Sequence, residues 1–384
     1  MNKLLEWLET RACTPAYAGW LLGGIALCFF GAATNTMAGW LYVLSGTIFA
    51  LLIVGAVLPV RALRQLKICR LPIAPVSAGD NLTVELEIVN STLKPKTLLQ
   101  VKDLLPYVLS RPIKTAVEII PPQSTHRWIY YTTTKQRGIY RWHEVELRTG
   151  TPLGLFWCRR SREVQAKAIV YPTVLPLSNC PLVDTLGKDD STRFESDRIT
   201  LAATEGITRT LRPYRIGDST RLIHWRTSAR LGEFQVRELE VITGGQEVII
   251  CLDSASNWRS SDFEQAVIAA ASLYFYAIRS QLNVKLQTAA TGLLHGNRVV
   301  LEALAATHYG EENREIDRPS LPLIWLTQDA GSIEQLPLGS RWVFFPPVAT
   351  SGSLPTSRRN LAGLIINPEE DLQQQLQRSV IGNR

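Results

Sequence analysis

"EVIICLDSAS", residues 247–256, carries an unbroken apolar run from Val248 to Leu252 that stops at Asp253, Ser254 and Ser256. A run this short, rich in β-branched side chains and closed by small polar residues, has the form of a parallel strand buried on both faces. The chain that follows has the matching alternation. "DFEQAVIAAASLYFYAIRSQ" (262–281) has helical periodicity, with Asp262 near its start and Arg279 near its end, as a helix dipole favours. "NVKLQTAA" then reads as a strand and "GNRVVLEALAATH" as a helix, while "LPLIWLT", "RWVFFPP" and "LAGLIINP" read as further short strands before a polar helix in "EEDLQQQLQRS". Strands alternating with helices predict an α/β domain on a mostly parallel sheet over residues 245–384, with any ligand beyond the carboxyl ends of the strands.

Upstream the period changes. In "NLTVELEIVN" (81–90), Leu82, Val84, Leu86 and Ile88 alternate with polar neighbours, and "HRWIYYTTT", "GIYRWHEVELRT" and "AKAIVYP" are of the same type. Residues 71–176 are therefore expected to form a β-sandwich-like domain of immunoglobulin-like or related topology. Residues 177–244 read as a linker, polar and poorly periodic in "SNCPLVDTLGKDDSTRFESD", followed by an arginine-rich segment.

Between Arg11 and Arg61 the chain has no Asp, Glu, Lys, Arg or His. A bilayer core of about 30 Å takes about 20 apolar residues per helix. The interval therefore predicts a transmembrane hairpin, roughly Ala16–Thr34 and Ala38–Leu58, turning at Asn35–Met37, within an N-terminal region 1–70. A signal peptide cleaved near Gly31-Ala32-Ala33 is the competing reading of the first span. Lys3 and Arg11 before the hairpin, and Arg61, Arg64, Lys67 and Arg70 after it, predict both termini on the cytoplasmic side of the bacterial inner membrane. The four later cations would lie against the lipid headgroups.

Of the 384 residues, 46% are hydrophobic and 20% charged, with a formal net charge of +7, which fits a globular protein with some membrane and permits an anionic partner without demanding one. The cysteines at 13, 28, 69, 158, 180 and 251 form no C-x-x-C pair, so zinc and a disulfide framework are not expected. No G-x-S-x-G elbow, P-loop or G-x-G-x-x-G is present.

Two places carry candidate chemistry. At the first, Asp253, Ser254 and Ser256 offer oxygen ligands to a hard cation such as Mg²⁺. The Asp-x-Ser-x-Ser pattern of von Willebrand factor A folds is out of register here, and Asp329 in "LTQDAG" is displaced from that fold's second acidic position. The same residues also suit a helix or loop cap. At the second, "RPYRIGDSTRLIHWRTSAR" (212–230) crowds Arg212, Arg215, Arg221, Arg226 and Arg230 around Tyr214, His224 and Trp225. Nucleic-acid binding is disfavoured because Glu233, Glu238 and Glu240 follow at once. Acid–base work by Asp218 and His224 in a hydrolase remains open, beside a structural reading in which Gly217-Asp218 turns, "RLIHWRTSAR" is a short helix and "EFQVRELEV" a strand.

At these residues the chain resembles the domain of unknown function 58 family of membrane-anchored bacterial proteins. Arg212, Tyr214, Gly217, Asp218, Arg221, Ile223, His224, Trp225, Ser228, Ala229 and Arg230 match the family's signature without a gap, and Val236, Arg237, Glu238 and Glu240 continue it. Thr151–Phe156 is similar to the family's D-P-F-G-L-F turn. The resemblance implies a C-terminal von Willebrand factor A-like module with an imperfect metal site. It also implies a non-enzymatic adaptor or scaffold working with a MoxR-type AAA+ ATPase in complex or envelope assembly, with the signature residues as the interaction surface.

Overall fold

The computed structural model describes residues 13–186, 207–214, 223–240, 247–312, 321–347 and 361–379. The chain divides into two compact units, Met1–Tyr171 and Pro172–Arg384.

The first unit opens with a two-residue strand, Thr14–Pro15 (β1), and two apolar helices, Tyr17–Thr36 (α1) and Gly39–Ala62 (α2). Both are long and apolar enough to cross a membrane. Along α1, Gly19, Ala26 and Ala33 are buried at intervals of seven. Gly19 faces the Leu155 carbonyl rather than α2, while at Ala26 the second helix approaches closely, as small residues allow, and Ser45 of α2 donates to the Ala26 carbonyl at 2.9 Å. The second helix continues past Leu58 through Pro59 to Ala62, further than the hydropathy suggested, since Pro59 still accepts from the Leu63 amide at 3.2 Å.

Strands Leu66–Arg70 (β2), Val76–Ser77 (β3), Asn81–Asn90 (β4), Lys96–Asp103 (β5), Ile113–Ile120 (β6), Ser124–Thr133 (β7), Gly138–Thr149 (β8) and Phe156–Tyr171 (β9) follow. They form a three-stranded sheet, β2-β4-β7, and a larger one in the order β1-β9-β8-β5-β6, with β3 on β9. One hydrophobic core takes residues from both sheets, including the inward row Leu82, Val84, Leu86 and Ile88 that the alternation foretold.

At the end of β2 the structure departs from the sequence reading. Arg70, expected among the headgroup-facing cations, has a side chain only 2% exposed and grips Asp103, which is fully buried. Its Nη1 and Nη2 donate to the two carboxylate oxygens at 2.6 and 3.1 Å, while Tyr130 Oη and Trp142 Nε1 donate at 2.6 and 3.0 Å. The partner acid lies 33 residues away, out of reach of a local charge count. Burial, and the negative charge of Asp103, raise the Tyr130 hydroxyl far above its ordinary pKa.

The second unit holds a short helix, Pro181–Asp184 (α3), and then a two-stranded sheet of Ile207–Pro213 (β10) and Gln235–Glu240 (β11) enclosing the helix Trp225–Leu231 (α4). Beyond it come Glu247–Leu252 (β12), Ser260–Arg279 (α5), Asn283–Thr288 (β13), Asn297–Ala306 (α6), Leu323–Thr327 (β14), Ala330–Ile333 (α7), Arg341–Phe344 (β15), Gly363–Ile365 (β16) and Leu372–Leu376 (α8). The strands from β12 onward make one parallel sheet in the order β13-β12-β14-β15-β16. Leu177, Cys180, Leu182, Val183 and Leu186, in the stretch read as a connecting loop, are buried in its core. Few apolar residues spread over ten positions leave no periodicity to read.

Burial pushes the Cys180 thiol up to about 11 from its ordinary 9.0. An unfolded chain loses this proton above pH 9 while the folded one keeps it, so the thiol's contribution is present below pH 9 and lost as pH rises toward 11. Chemical denaturation of the solubilised full chain should show the second unit weakening by roughly 2 kcal/mol across that range, and Cys180→Ala should flatten the dependence.

Candidate functional site

The signature segment folds as a small hairpin built around a helix. Strands β10 and β11 pair antiparallel from Ile207↔Glu240 to Pro213↔Gln235, and Ile223 bridges Val236 on the return. His224 caps α4. Its Nδ1 accepts from the Thr227 amide at 3.2 Å, and its own amide donates to the Gln235 carbonyl at 2.8 Å. Gly232 ends the helix in the left-handed conformation (φ 77°), which a residue without Cβ adopts at no steric cost. Ser228, buried on the inner face, donates to the His224 carbonyl at 3.0 Å and accepts from the Gln235 amide at 2.9 Å. Ser228→Ala therefore strands a buried amide, which costs about 1–3 kcal/mol. Hydrogen exchange should show the Gln235 amide losing protection while amides of β12 keep theirs.

These bonds assign work to residues that the sequence left open. The Thr227 amide is shared between the His224 carbonyl at 3.0 Å and the His224 Nδ1, a contact that in a neutral ring puts the proton on Nε2 and gives the imidazole a capping role. Gly217, Asp218 and Arg221 lie outside the described residues, as do the side chains of Arg212, Arg237 and Glu238. Trp225 and Phe234 face outward, 63% and 55% exposed. Their rings meet edge to face at 6.0 Å, and Tyr214 meets Phe234 at 6.3 Å. Arg226 and Arg230 are also exposed on α4. Among the described residues, His224 and Ser228 thus serve the hairpin's own fold, while Trp225, Phe234, Arg226, Arg230 and Glu233 are exposed.

The second place lies at the carboxyl end of the parallel sheet. The chain leaves β12 for β13 on one side and returns to β14 on the other, so the β12–β14 boundary is where the winding reverses. Asp253 and the Thr327–Asp329 segment sit there. Asp253 Oδ2 accepts from Ser256 Oγ at 2.5 Å and Thr327 Oγ1 at 2.7 Å. Nearby, Gln328 accepts from the Arg259 amide and donates to Asp262 at 2.8 Å, and Asp329 caps α7 by accepting from the Gly331 amide at 3.0 Å.

Of the three residues suggested for a cation, Asp253 and Ser256 are brought together and Ser254 is not. Ser254 is fully buried, donating to Glu311 at 2.7 Å and accepting from the Ala289 amide at 3.0 Å. No group of three or more His, Cys, Asp or Glu that could hold a metal occurs among the described residues. One carboxylate with hydroxyls already donating into it does not fit a divalent ion held by all three residues. Thr327, absent from the sequence reading, is the third member of the observed cluster. Only the strand order reveals it, because 74 residues separate it from Asp253.

The family model for "Protein of unknown function DUF58" matches residues 210–294, from the signature hairpin through α5 and β13. The "Uncharacterized protein YeaD" of Bacillus subtilis (strain 168) is 23% identical over 213 residues, 53% of this chain. The chain spans 50% of that relative's length. Among solved structures, a β-glucosidase from Listeria innocua aligns over 26% of this chain and 16% of its own at 17% identity and a TM-score of 0.15. An exo-β-N-acetylglucosaminidase from Vibrio harveyi aligns over 74% and 57% at 8% identity and a TM-score of 0.16. Likenesses that low carry no statement about fold or activity. Residues 210–294 of the chain are thus similar to the DUF58 family, whose description states no function.

Proposed function

We propose that the protein is a membrane-anchored, non-enzymatic adaptor whose signature hairpin docks a protein partner. The observation that carries this reading is the edge-to-face cluster of half-buried Tyr214 with exposed Trp225 and Phe234, on a hairpin whose helix also exposes Arg226 and Arg230. Aromatic and arginine side chains dominate the energetics of protein interfaces. The apolar hairpin supports anchoring, and the basic residues flanking it support an inner-membrane orientation with both termini in the cytoplasm. The parallel strand order and the position of Asp253 at the winding reversal support a von Willebrand factor A-like second unit. The resemblance suggests a MoxR-type AAA+ ATPase as the partner.

A photo-crosslinking residue at Trp225 or Phe234, introduced into the full chain in cells, tests the reading. Crosslinks to an AAA+ ATPase, lost on Arg226→Glu/Arg230→Glu, are the expected result. Crosslinks confined to lipid or to the chain itself would overturn it.

A further inference from the structure

The first unit gathers exposed apolar side chains at one end, and it is the end from which the helical hairpin departs. Turn residues Thr151–Phe156 lie against the base of both helices. The Leu155 carbonyl accepts from the Ala16 amide at 2.8 Å, and a Cβ at Gly19 would overlap that same oxygen. The Leu155 side chain lies 3.3 Å from where a Cβ on Gly55 would stand. Gly55 is seven residues before the end of α2, so the turn reaches roughly 10 Å up that helix from its base.

The neighbours of this turn come from separate segments that only the sheet register brings together. Thr149 pairs with Leu99, and its hydroxyl donates to the Leu98 carbonyl at 3.2 Å. Thr151 donates to the Thr97 carbonyl at 3.3 Å, and Thr97 pairs with Ile119. Beside the turn, Trp157 pairs with Thr14 at the foot of α1 and carries the Arg148 guanidinium over its ring at 4.4 Å. Leu98, Ile119, Leu153 and Trp157 are all exposed, the first at 66%. Apolar groups that gather at the foot of an apolar hairpin share whatever medium surrounds that hairpin.

We propose that this end of the β unit is seated in the membrane interface, with Leu98, Ile119 and Leu153 at the boundary of headgroups and acyl chains. The proposal rests on the hairpin's crossing the bilayer. Setting about 30 Å of hydrocarbon from the α1–α2 turn brings its near edge to about 20 helical residues, a little beyond Gly55. Leu155 then lies just within the acyl region and Arg61 and Arg64, exposed one turn further, at headgroup level. Trp157 with Arg148 stacked on it has the amphipathic character that favours the interface.

The test uses the full chain in vesicles of zwitterionic and anionic phospholipid, with Cys13, Cys28 and Cys69 replaced by serine. A polarity-sensitive fluorophore is attached at Leu98→Cys, Ile119→Cys or Leu153→Cys. Tyr107→Cys, in the loop after β5 beyond Asp103, serves as the aqueous reference, and Leu51→Cys in mid α2 as the reference for depth. Blue-shifted emission at 98, 119 and 153, quenched more by lipids spin-labelled near the headgroup than deep in the acyl chain, is the expected result. Quenching by aqueous iodide equal to that at 107, with position 51 still quenched by the deep label, would overturn the seat alone. Loss of lipid quenching at 51 as well would overturn the anchoring on which it rests.

Discussion

Asp103→Ala is expected to destabilise the first unit by about 3–5 kcal/mol, the usual cost of leaving one member of a buried ion pair alone. The carboxylate is fully buried and takes four hydrogen bonds, two from Arg70 and one each from Tyr130 and Trp142. Those donors come from β2, β7 and β8, so one side chain ties both sheets. Removing it leaves a guanidinium without an anion where its side chain is 2% exposed. Asp103→Asn keeps the volume and an acceptor but removes the charge, and should fall between. Cys158, fully buried in the same core, serves as the reporter. Its labelling by a maleimide in solubilised full-length protein should accelerate in both variants, while that of Cys180 in the second unit stays slow.

Gly363→Val should have a comparable effect on the second unit, for a steric reason. Gly363 in β16 pairs with Trp342 in β15, and a Cβ at that glycine would overlap the indole ring. The ring cannot swing aside freely, because it is 5% exposed and its Nε1 donates to the Leu361 carbonyl at 2.9 Å. Overpacking of a filled core costs about 1–3 kcal/mol and more where the neighbour is held. Denaturation of the full chain should show the loss in Gly363→Val. Trp342→Leu in the same molecule should recover part of it, the coupling that direct contact predicts.

How much the sequence disclosed depended on whether the signal was local. The row Leu82 to Ile88 repeats every two residues, and Val248 to Leu252 is continuous, so both strands could be read directly. Helix α4 and strand β11 were legible as well, because the capping and turn residues lie within a few positions of one another. Strands β5 and β6 were harder, since exposed residues such as Leu98 and Ile119 blur their alternation. Contacts across long separations left no trace. Arg70 gave no sign of Asp103, nor Asp253 of Thr327, and Gly19 looked like any small residue in a span until Leu155 was found against it. For Ser254 the residue type suited a ligand, but backbone direction at the end of β12 aims its hydroxyl at Glu311.

Strand β9 gives the first unit a fixed length. It runs without interruption for 16 residues, from Phe156 beside the hairpin to Tyr171, where the first unit ends. At about 3.3 Å per residue it measures roughly 50 Å, stiffened by β8 along nearly all of it. The chain therefore leaves the first unit at a set distance from the foot of the hairpin, and β9 acts as a strut. Lengthening or shortening β8 and β9 together would therefore change the distance from the foot of the hairpin to Tyr171 while leaving the Leu155 contact with Gly19 and Gly55 at its base intact.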